Sequence, residues 1–185
     1  MRPRNERWTP PKISTETATP PTTQRPVEAI AQLDPQQLVG TWHEIAHLPG
    51  SFGLTDSGVA TLQFERHGNL ALAVTRRPID GSTPKGRVRR AVACCPRPAD
   101  EPARFRLRSA PEWLGWLPWV WSDCWVLALD TDAGWALLGD PGRRGLCLLS
   151  REPRMERDLF DELKARARRM GYDLAPLVVS PYRAG

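Results

Sequence analysis

The cysteine and histidine side chains are the residues of this sequence that could carry metal or nucleophilic chemistry. The cysteines are Cys94, Cys95, Cys124 and Cys147, and the histidines are His43, His47 and His67. A structural zinc site combines paired Cys-x-x-Cys spacings with each other or with a nearby histidine cluster, and neither pattern occurs here. The sequence therefore predicts no metal site.

The same cysteines bear on the cellular compartment of the protein. An even number of them would suit disulfide bonds in an oxidising compartment. The N-terminal residues contain neither the continuous apolar stretch of a signal peptide nor a lipid-attachment cysteine. We therefore expect a cytoplasmic location and free thiols for the chain as written, with the periplasm or outer membrane as the alternative if translation starts elsewhere. The sequence also lacks an apolar run near the length of about eighteen residues that spans a bilayer as a helix.

Enzymatic chemistry would require a nucleophile beside a base, or a pair of carboxylates, within one pocket. The histidines fall on the first predicted strand or in a turn, and the acidic residues fall mostly in turns and in one helix. The Gly-x-Ser-x-Gly motif is also missing. The sequence therefore predicts a binding protein rather than an enzyme.

The formal net charge of +5 leaves anionic ligands and anionic membrane surfaces open as partners. The arginines that dominate this charge are spread over the predicted strands, helix and tails. A nucleic-acid-binding protein usually gathers its basic residues on one face. We therefore expect no nucleic-acid partner.

The chain divides into a tail and one folded domain. Residues 1–32 are rich in Pro, Thr, Arg and Glu, with only isolated apolar residues. A segment of this composition cannot bury enough surface to offset its ordering entropy. We predict a disordered tail over 1–32 and a single domain over 33–182.

Segments of strand length, separated by turn residues, follow one another through the domain. Asp34 and Pro35 predict a short helical turn before the first strand. The clearest alternation lies in ARFRLRS, where Phe105 and Leu107 share one face and the arginines share the other. The eight predicted strands are Leu38–Leu48, Gly58–Arg66, Leu70–Arg77, Arg87–Cys95, Ala103–Ser109, Cys124–Leu129, Trp135–Leu138 and Gly145–Leu149.

Eight strands in consecutive order, with no helix between them, favour an all-β up-and-down antiparallel barrel, with a sandwich as the alternative. A helix follows the strands, because apolar residues from Leu159 to Met170 recur at helical spacing before Gly171. We expect this helix to pack on the outside of the barrel. The segment Leu174–Tyr182 is predicted to extend along the same surface.

Three motifs occur in a fixed order along the domain. They are Gly40-Thr41-Trp42 continuing as HEIAHLP, the pair Trp125–Asp130 and Trp135–Pro141, and Leu146–Pro153 with the sequence LCLLSREP. Together they resemble the first, the sixth and seventh, and the last strands of the lipocalin family, and in particular its bacterial branch. The resemblance covers about Leu33 to Pro181.

This resemblance implies an eight-stranded lipocalin barrel with one C-terminal helix packed outside, and no cofactor. It also implies a structural floor made by Gly40, Trp42 and Arg151, in which Trp42 plugs the closed end and Arg151 lies across it. A guanidinium group over an indole contributes about 0.5–2 kcal/mol. The ligand site implied by the family is the barrel interior, which in a barrel of this size holds side chains or one small ligand.

Alternation counted from these motifs places an almost wholly apolar set of side chains on the inner face. A polar ligand would leave groups unpaired there, at about 1–3 kcal/mol each. We therefore expect the barrel to carry or sequester a fatty acid, lysophospholipid or similar lipid, for membrane lipid maintenance or stress. Haem or another pigment, held by a histidine or an inward cysteine, is the alternative. The predicted ligand-binding residues are Ala60, Leu62, Phe64, Leu70, Leu72, Val74, Phe105, Leu107, Trp113, Trp116, Cys124, Val126, Ala128, Cys147 and Leu149.

Two further features concern the open end of the predicted barrel. Cys124, Gly145 and Cys147 stand where lipocalins usually carry aromatic residues, which predicts a roomier cavity. The stretch Pro111–Trp125 is rich in tryptophan and joins the fifth and sixth predicted strands. Because indoles favour interfaces, we expect a ligand mouth or a peripheral membrane contact through Trp113–Trp121, with a folded-over lid as the alternative. Arg76 and Arg108 are predicted to lie near the rim and to attract an acidic head group.

Overall fold

The computed structural model describes residues 26–54, 58, 60–68, 71–79 and 88–180. Within these ranges the chain forms nine strands and one α-helix, joined by turns of which four contain short 3-10 helices. The elements are β1 (Gly40–His47), β2 (Ala60–His67), β3 (Ala71–Pro78), β4 (Arg89–Cys94), β5 (Arg104–Arg108), β6 (Trp121–Leu129), β7 (Trp135–Gly139), β8 (Leu146–Ser150), α1 (Arg157–Arg169) and β9 (Val178–Val179).

Strand β1 closes the barrel because it pairs with β2 on one side and with β8 on the other. The Cα partners include Gly40 with Phe64 and His43 with Ser150. From β2 to β8, each strand pairs antiparallel with the next one along the chain. The predicted eight-stranded up-and-down barrel is therefore confirmed. Strand β9 adds to β1 beside the barrel, where Val179 pairs with Ala46.

The strands begin or end one to three residues away from their predicted bounds, and the starts of β1 and β6 have clear physical reasons. Leu38 ends a 3-10 turn, Pro35–Leu38, that is capped by the Asp34 carboxylate accepting from the Gln36 N–H at 2.9 Å. At the other end of the barrel, β6 begins at Trp121 rather than at Cys124. Residues 121–123 pair with residues 106–108 of β5, so the ladder between the two strands extends to Trp121.

Two β-bulges interrupt the alternation of inward and outward side chains. One register shift lies between Glu44 and Ala46 in β1, and the other between Val126 and Ala128 in β6. A bulge adds one residue opposite the partner strand and so changes which face the following residues occupy. Beyond each bulge, counting every second residue of β1 or β6 therefore assigns side chains to the wrong face of the sheet.

Helix α1 packs against the outside of the barrel, as predicted. Phe160, Leu163 and Ala167 are buried there in a second apolar cluster with residues of β1 and β6–β8. Asp158 lies in the first turn, and arginines lie in the last turn. Both placements complement the helix dipole. The molecule thus has one apolar cluster inside the barrel and another between the barrel and α1.

Residues 26–32 belong to the predicted tail, yet they contact the barrel. Val27 is buried in the cluster beneath α1, and the Ile30 N–H donates to the Val126 carbonyl at 2.9 Å. Residues 1–25 lie outside the described part of the chain. The boundary between tail and domain stays a prediction.

Candidate functional site

The inner face of the barrel is the candidate ligand site, and the strands place most of the predicted residues on it. Phe64 pairs with Val74, and Ala60 lies on the same face of β2 as Leu62 and Phe64. Leu70 lies outside the described residues. The predicted residues that are buried on the inner face are Ala60, Leu62, Phe64, Leu72, Val74, Phe105, Leu107, Cys124, Val126, Cys147 and Leu149.

Ala128 is a correction, because it does not face the interior. It belongs to the outer cluster with Leu127 and Leu137, beneath α1. The bulge in β6 puts Leu127 and Ala128 on the same side of the sheet, and Ala128 then pairs with Leu137. The interior position after the bulge is Leu129, which packs against the inner cluster.

Several small inward side chains were missed by sequence reasoning. Ala91 and Ala93 on β4 are buried in the inner cluster, opposite Val74 and Leu72. Ala136 on β7 is fully buried in the same cluster. The alternation of β4 could have identified the first two, since Val92 between them and Cys94 after them are only partly buried. No side chain of the described inner cluster is smaller than these three.

The floor of the barrel is built around Trp42. Its ring is fully buried, and its indole N–H donates to the Leu38 carbonyl at 2.7 Å. Arg151 lies over the ring, and its guanidinium group donates to the carbonyls of Thr41, Gln37 and Val39 at 2.8–3.0 Å. A Cβ atom at Gly40 would lie 3.0 Å from Arg151 Nη1, and Gly40 has φ of +108°. Glycine is therefore required at this position.

A cluster of polar side chains lies on the inner face in the half of the barrel nearer its open end. We call Glu44, His47, Arg76 and Cys147 the polar belt. Each of the four is at most 2% exposed. Glu44 pairs with Leu149 and faces inward by alternation from Trp42. His47 pairs with Cys147, and the bulge after Glu44 turns His47 inward as well. The expectation of an almost wholly apolar lining was therefore wrong in this half of the barrel.

Arg76 is also a correction, because it is buried in the wall rather than exposed at the rim. Its Nη2 atom lies 2.7 Å from Glu44 Oε2 and donates to the Gly58 carbonyl at 2.7 Å. His47 Nδ1 is 3.4 Å from the same carboxylate oxygen, and the Cys147 thiol is 3.7 Å from Glu44 Oε1. The carboxylate of Glu44 is thus the centre of the belt.

Burial and neighbouring charges shift the pKa values of two groups of the belt, Glu44 and Cys147. Burial alone would raise the pKa of Glu44, but the hydrogen bonds and charges of His47 and Arg76 outweigh it and hold this pKa below its ordinary value. Burial and the nearby Glu44 carboxylate raise the pKa of the Cys147 thiol well above its ordinary value. Glu44 is therefore an ion and Cys147 a neutral thiol near neutral pH. A nucleophilic role for Cys147 would need a lowered pKa instead.

A cleft of about 340 Å³ opens at the mouth of the barrel. The loop after β1, the start of β6 and the turn between β7 and β8 surround it. Its volume lies at the lower end of the range of about 300–1,000 Å³ that is usual for small-molecule sites. The residues that line it are Gly50, Phe52, Trp121, Ser122, Asp123, Asp140, Arg144 and Gly145.

Phe52 fills the space that the glycine at position 145 leaves free. A Cβ atom on Gly145 would lie 3.1 Å from the Phe52 ring. Phe52 adopts a positive φ of 56°, which is strained for a bulky residue. The Phe52 ring therefore occupies the volume that Gly145 was predicted to add to the cavity. Phe52 lines the mouth cleft and also packs against the inner cluster.

The tryptophans between β5 and β6 do not line the interior. Trp113, Trp116 and Trp119 are 73%, 78% and 76% exposed. The contact of Trp113 and Trp116 with a ligand at the mouth stays a prediction. The 3-10 turns Glu112–Leu114 and Pro118–Val120 carry them. The loop is braced beneath, where the Trp121 indole donates to the Gly115 carbonyl at 2.8 Å and Arg108 donates to the Glu112 carbonyl at 2.7 Å. We call the three exposed side chains the tryptophan patch.

Within the described ranges, no three His, Cys, Asp or Glu side chains come close enough together to hold a metal ion. No helix in this part of the chain combines the length and the apolar character needed to cross a membrane.

Known proteins are similar to this chain in sequence and in fold. The chain matches the lipocalin-like domain family over residues 33–182. It is 31% identical over 170 residues to temperature-induced lipocalin-1 of Arabidopsis thaliana, a match that covers 86% of this chain and 85% of that protein. A plant relative does not place the chain in the bacterial branch, which stays a prediction.

Two solved structures have the same barrel at much lower identity. Apocrustacyanin C2 superposes with a TM-score of 0.56 at 13% identity, covering 80% of this chain and 78% of that one. Lobster apocrustacyanin A1 gives a TM-score of 0.55 at 14% identity, covering 84% of this chain and 88% of that one. These likenesses support the fold, and the sequence match supports the family. The chain is therefore a member of the lipocalin family, whose barrels bind small hydrophobic ligands.

Proposed function

We propose that this barrel binds a single-chain amphiphile, a fatty acid or a lysophospholipid, and carries or sequesters it without changing it chemically. The observation that carries the proposal is the division of the inner wall into two zones. An apolar zone lies toward the floor, and the polar belt lies toward the mouth. A ligand with one apolar tail and one polar head matches both zones at once.

The strand directions support this division. β1 runs from the floor at Trp42 to the mouth at His47, so Glu44 and His47 lie above Trp42. β3 also runs toward the mouth, and its inward residues change from Leu72 and Val74 to Arg76. Apolar side chains therefore surround the tail, and charged side chains meet the head.

A tail contributes about 0.8 kcal/mol for each CH₂ group that it buries, before ordering costs. Affinity should therefore rise with chain length until the apolar zone is full. Small inward side chains such as Ala91, Ala93 and Ala136 give this zone its width. Larger side chains at these positions should lower the maximum length.

We further propose that the tryptophan patch touches a lipid surface while the ligand enters or leaves. Exposed indoles favour the membrane interface, where the ring is in an apolar environment and the N–H is solvated. The patch sits at the mouth, and the outer face of β5 beside it carries three arginines. Arg104 lies over the Trp125 ring, at 4.4 Å from its centroid, and Arg106 and Arg108 lie over Trp121 at 5.6 and 5.4 Å. These cations would attract anionic lipid.

Intrinsic tryptophan fluorescence, titrated with saturated fatty acids of about eight to eighteen carbons, tests the ligand proposal. We compare the parent with Ala91→Leu, which fills the interior, and with Ala128→Leu, which adds the same volume beneath α1. The proposal requires Ala91→Leu to shorten the longest acceptable chain and Ala128→Leu to leave it unchanged. A flat response to every length, or the same cut-off in all three proteins, would refute it. A Soret band in the purified protein would favour the haem or pigment alternative instead.

A further inference from the structure

We propose that the polar belt is a head-group site selective for an acidic head, and that the buried Nε–H of Arg76 donates to an oxygen of this head. The inference rests on the proposed function, because it takes the ligand to be a single-chain amphiphile inside the barrel. It adds the chemical class of the head group and the residue that recognises it.

The first observation is an unused donor. Arg76 is 2% exposed, and its Nη2 atom is already bound to the carboxylate of Glu44 and the carbonyl of Gly58. Its buried Nε atom has no hydrogen-bond partner among the described residues. A buried N–H of a charged group is costly when it lacks an acceptor. An oxygen atom supplied by a ligand would remove this cost.

The second observation is that the belt offers no matching acceptor to a cationic head. Both oxygens of Glu44 are engaged, because Oε2 faces Arg76 and His47 while Oε1 faces the Cys147 thiol. A cationic head would therefore compete with Arg76 for an occupied carboxylate. A carboxylate or phosphate oxygen can instead accept a hydrogen bond from the Nε–H of Arg76, because guanidinium groups bind both anions well.

Glu44 sets a limit on this selectivity. Its carboxylate shares the guanidinium group with the incoming acid, so the parent holds two negative groups around one cation. Other charged or titratable groups face the belt from neighbouring strands. They are Cys124 on β6 and Arg89, which pairs with Arg76 from β4. Replacing Glu44 with the isosteric glutamine should therefore strengthen acid binding.

A purely structural belt would behave differently. The contact of Arg76 with the Gly58 carbonyl holds this residue against the wall, and a buried ion pair could be retained for this contact alone. Such a contact affects stability but does not distinguish between ligands with the same tail. The comparison of head groups on one tail therefore separates the two roles.

The experiment uses ligands that share a twelve-carbon tail: dodecanoate, dodecyl phosphate, 1-dodecanol and dodecyltrimethylammonium. Dissociation constants are measured by calorimetry below the micellar concentrations, at about pH 8, where a fatty acid in water is ionised. The proteins are the parent, Glu44→Gln, the double variant Glu44→Gln/Arg76→Gln, and Arg77→Gln. Arg77 is the matched control, because it is the next residue on β3 and is exposed on the outer face.

In the parent we expect the acid to bind about tenfold more tightly than the alcohol, the size expected for one hydrogen bond to a charged group. Glu44→Gln should increase the ratio of acid to alcohol affinity, the double variant should abolish it, and Arg77→Gln should preserve it. Both affinities are measured on the same preparation of each variant. A partly unfolded fraction therefore lowers both by the same factor and does not change their ratio. The preference should also persist in about 0.5 M NaCl, since buried charges are weakly screened. The carboxylate and phosphate arms show which acidic head fits.

Equal affinity for acid and alcohol in both the parent and Glu44→Gln would overturn the head-group site while leaving the amphiphile proposal intact. A loss of the preference in Arg77→Gln would overturn it as well, because the effect would then come from surface charge. If none of the four ligands binds, the proposed function fails, and the head-group site fails with it.

Discussion

Arg151 lies over the indole of Trp42, with its guanidinium carbon 3.7 Å from the ring centroid. The same guanidinium group holds backbone carbonyls from the 3-10 turn and from the start of β1. Two segments about 110 residues apart in the chain are thereby joined at the closed end. The pair acts as a structural floor, because every donor of Arg151 that is accounted for binds backbone.

This floor predicts a large loss of stability when either residue is truncated. Trp42→Ala should lower the free energy of unfolding by about 3–5 kcal/mol, as for other buried aromatics. Arg151→Ala should cost about 1.5–3 kcal/mol, because the ring contact and several hydrogen bonds are lost together. Arg151→Lys keeps the charge but loses the planar fork, so it should fall between Arg151→Ala and the parent. Chemical denaturation measures all three, and a parent-like stability in the two alanine variants would contradict the floor assignment.

The tryptophan patch predicts binding to anionic lipid that depends on both indoles and arginines. The parent should co-sediment with vesicles containing anionic phospholipid, and replacement of Trp113, Trp116 and Trp119 by serine should reduce the bound fraction severalfold. Stability should change little, since all three side chains are exposed. Replacing Trp135, which lies beside α1 at the other end of the barrel, is the matched control. Equal vesicle binding by the triple variant and the parent would exclude the patch as the contact.

The thiols predict a graded reactivity. Cys94 is half-buried, whereas Cys95, Cys124 and Cys147 are buried, and burial raises the pKa of each thiol above its ordinary value. In the native protein, a thiol reagent should modify Cys94 first and Cys124 and Cys147 last. After unfolding, all four should react without prior reduction. Recovery of only two thiols would show a disulfide bond and an oxidising compartment.

Glu44 predicts that the protein loses stability in acid. Its pKa in the folded state is lowered, so it contributes stability that is complete above its ordinary pKa of 4.5 and is lost as the pH falls through the folded value. The free energy of unfolding of the parent should therefore decrease below that pH. Glu44→Gln should be less stable than the parent near neutral pH, because Arg76 loses its buried counter-charge. Its pH dependence in acid should be flatter, and parallel curves from urea unfolding would rule out the assignment.

Local patterns were sufficient to predict the barrel and much of its inner face. The alternation of Arg104–Arg108 is visible in the sequence, and Phe105 and Leu107 are buried inside as it indicates. Turn residues between short strands imply consecutive hairpins, and this order leads to an up-and-down sheet. The helical spacing of Phe160, Leu163 and Ala167 identifies the face of α1 that meets the barrel. All these signals are local, with periods of two or of three to four residues.

The polar belt and the inward face of two strands were decided by the tertiary structure. A bulge depends on the register between strands, so the sequence of β6 alone does not place Ala128 outside, nor that of β1 alone place His47 inside. Arg76 and Glu44 are 32 residues apart, and only closure of the barrel brings their charges to 2.7 Å. Periodicity predicts which residues alternate along a strand. Which charges meet inside the barrel depends on the stagger of every strand between them.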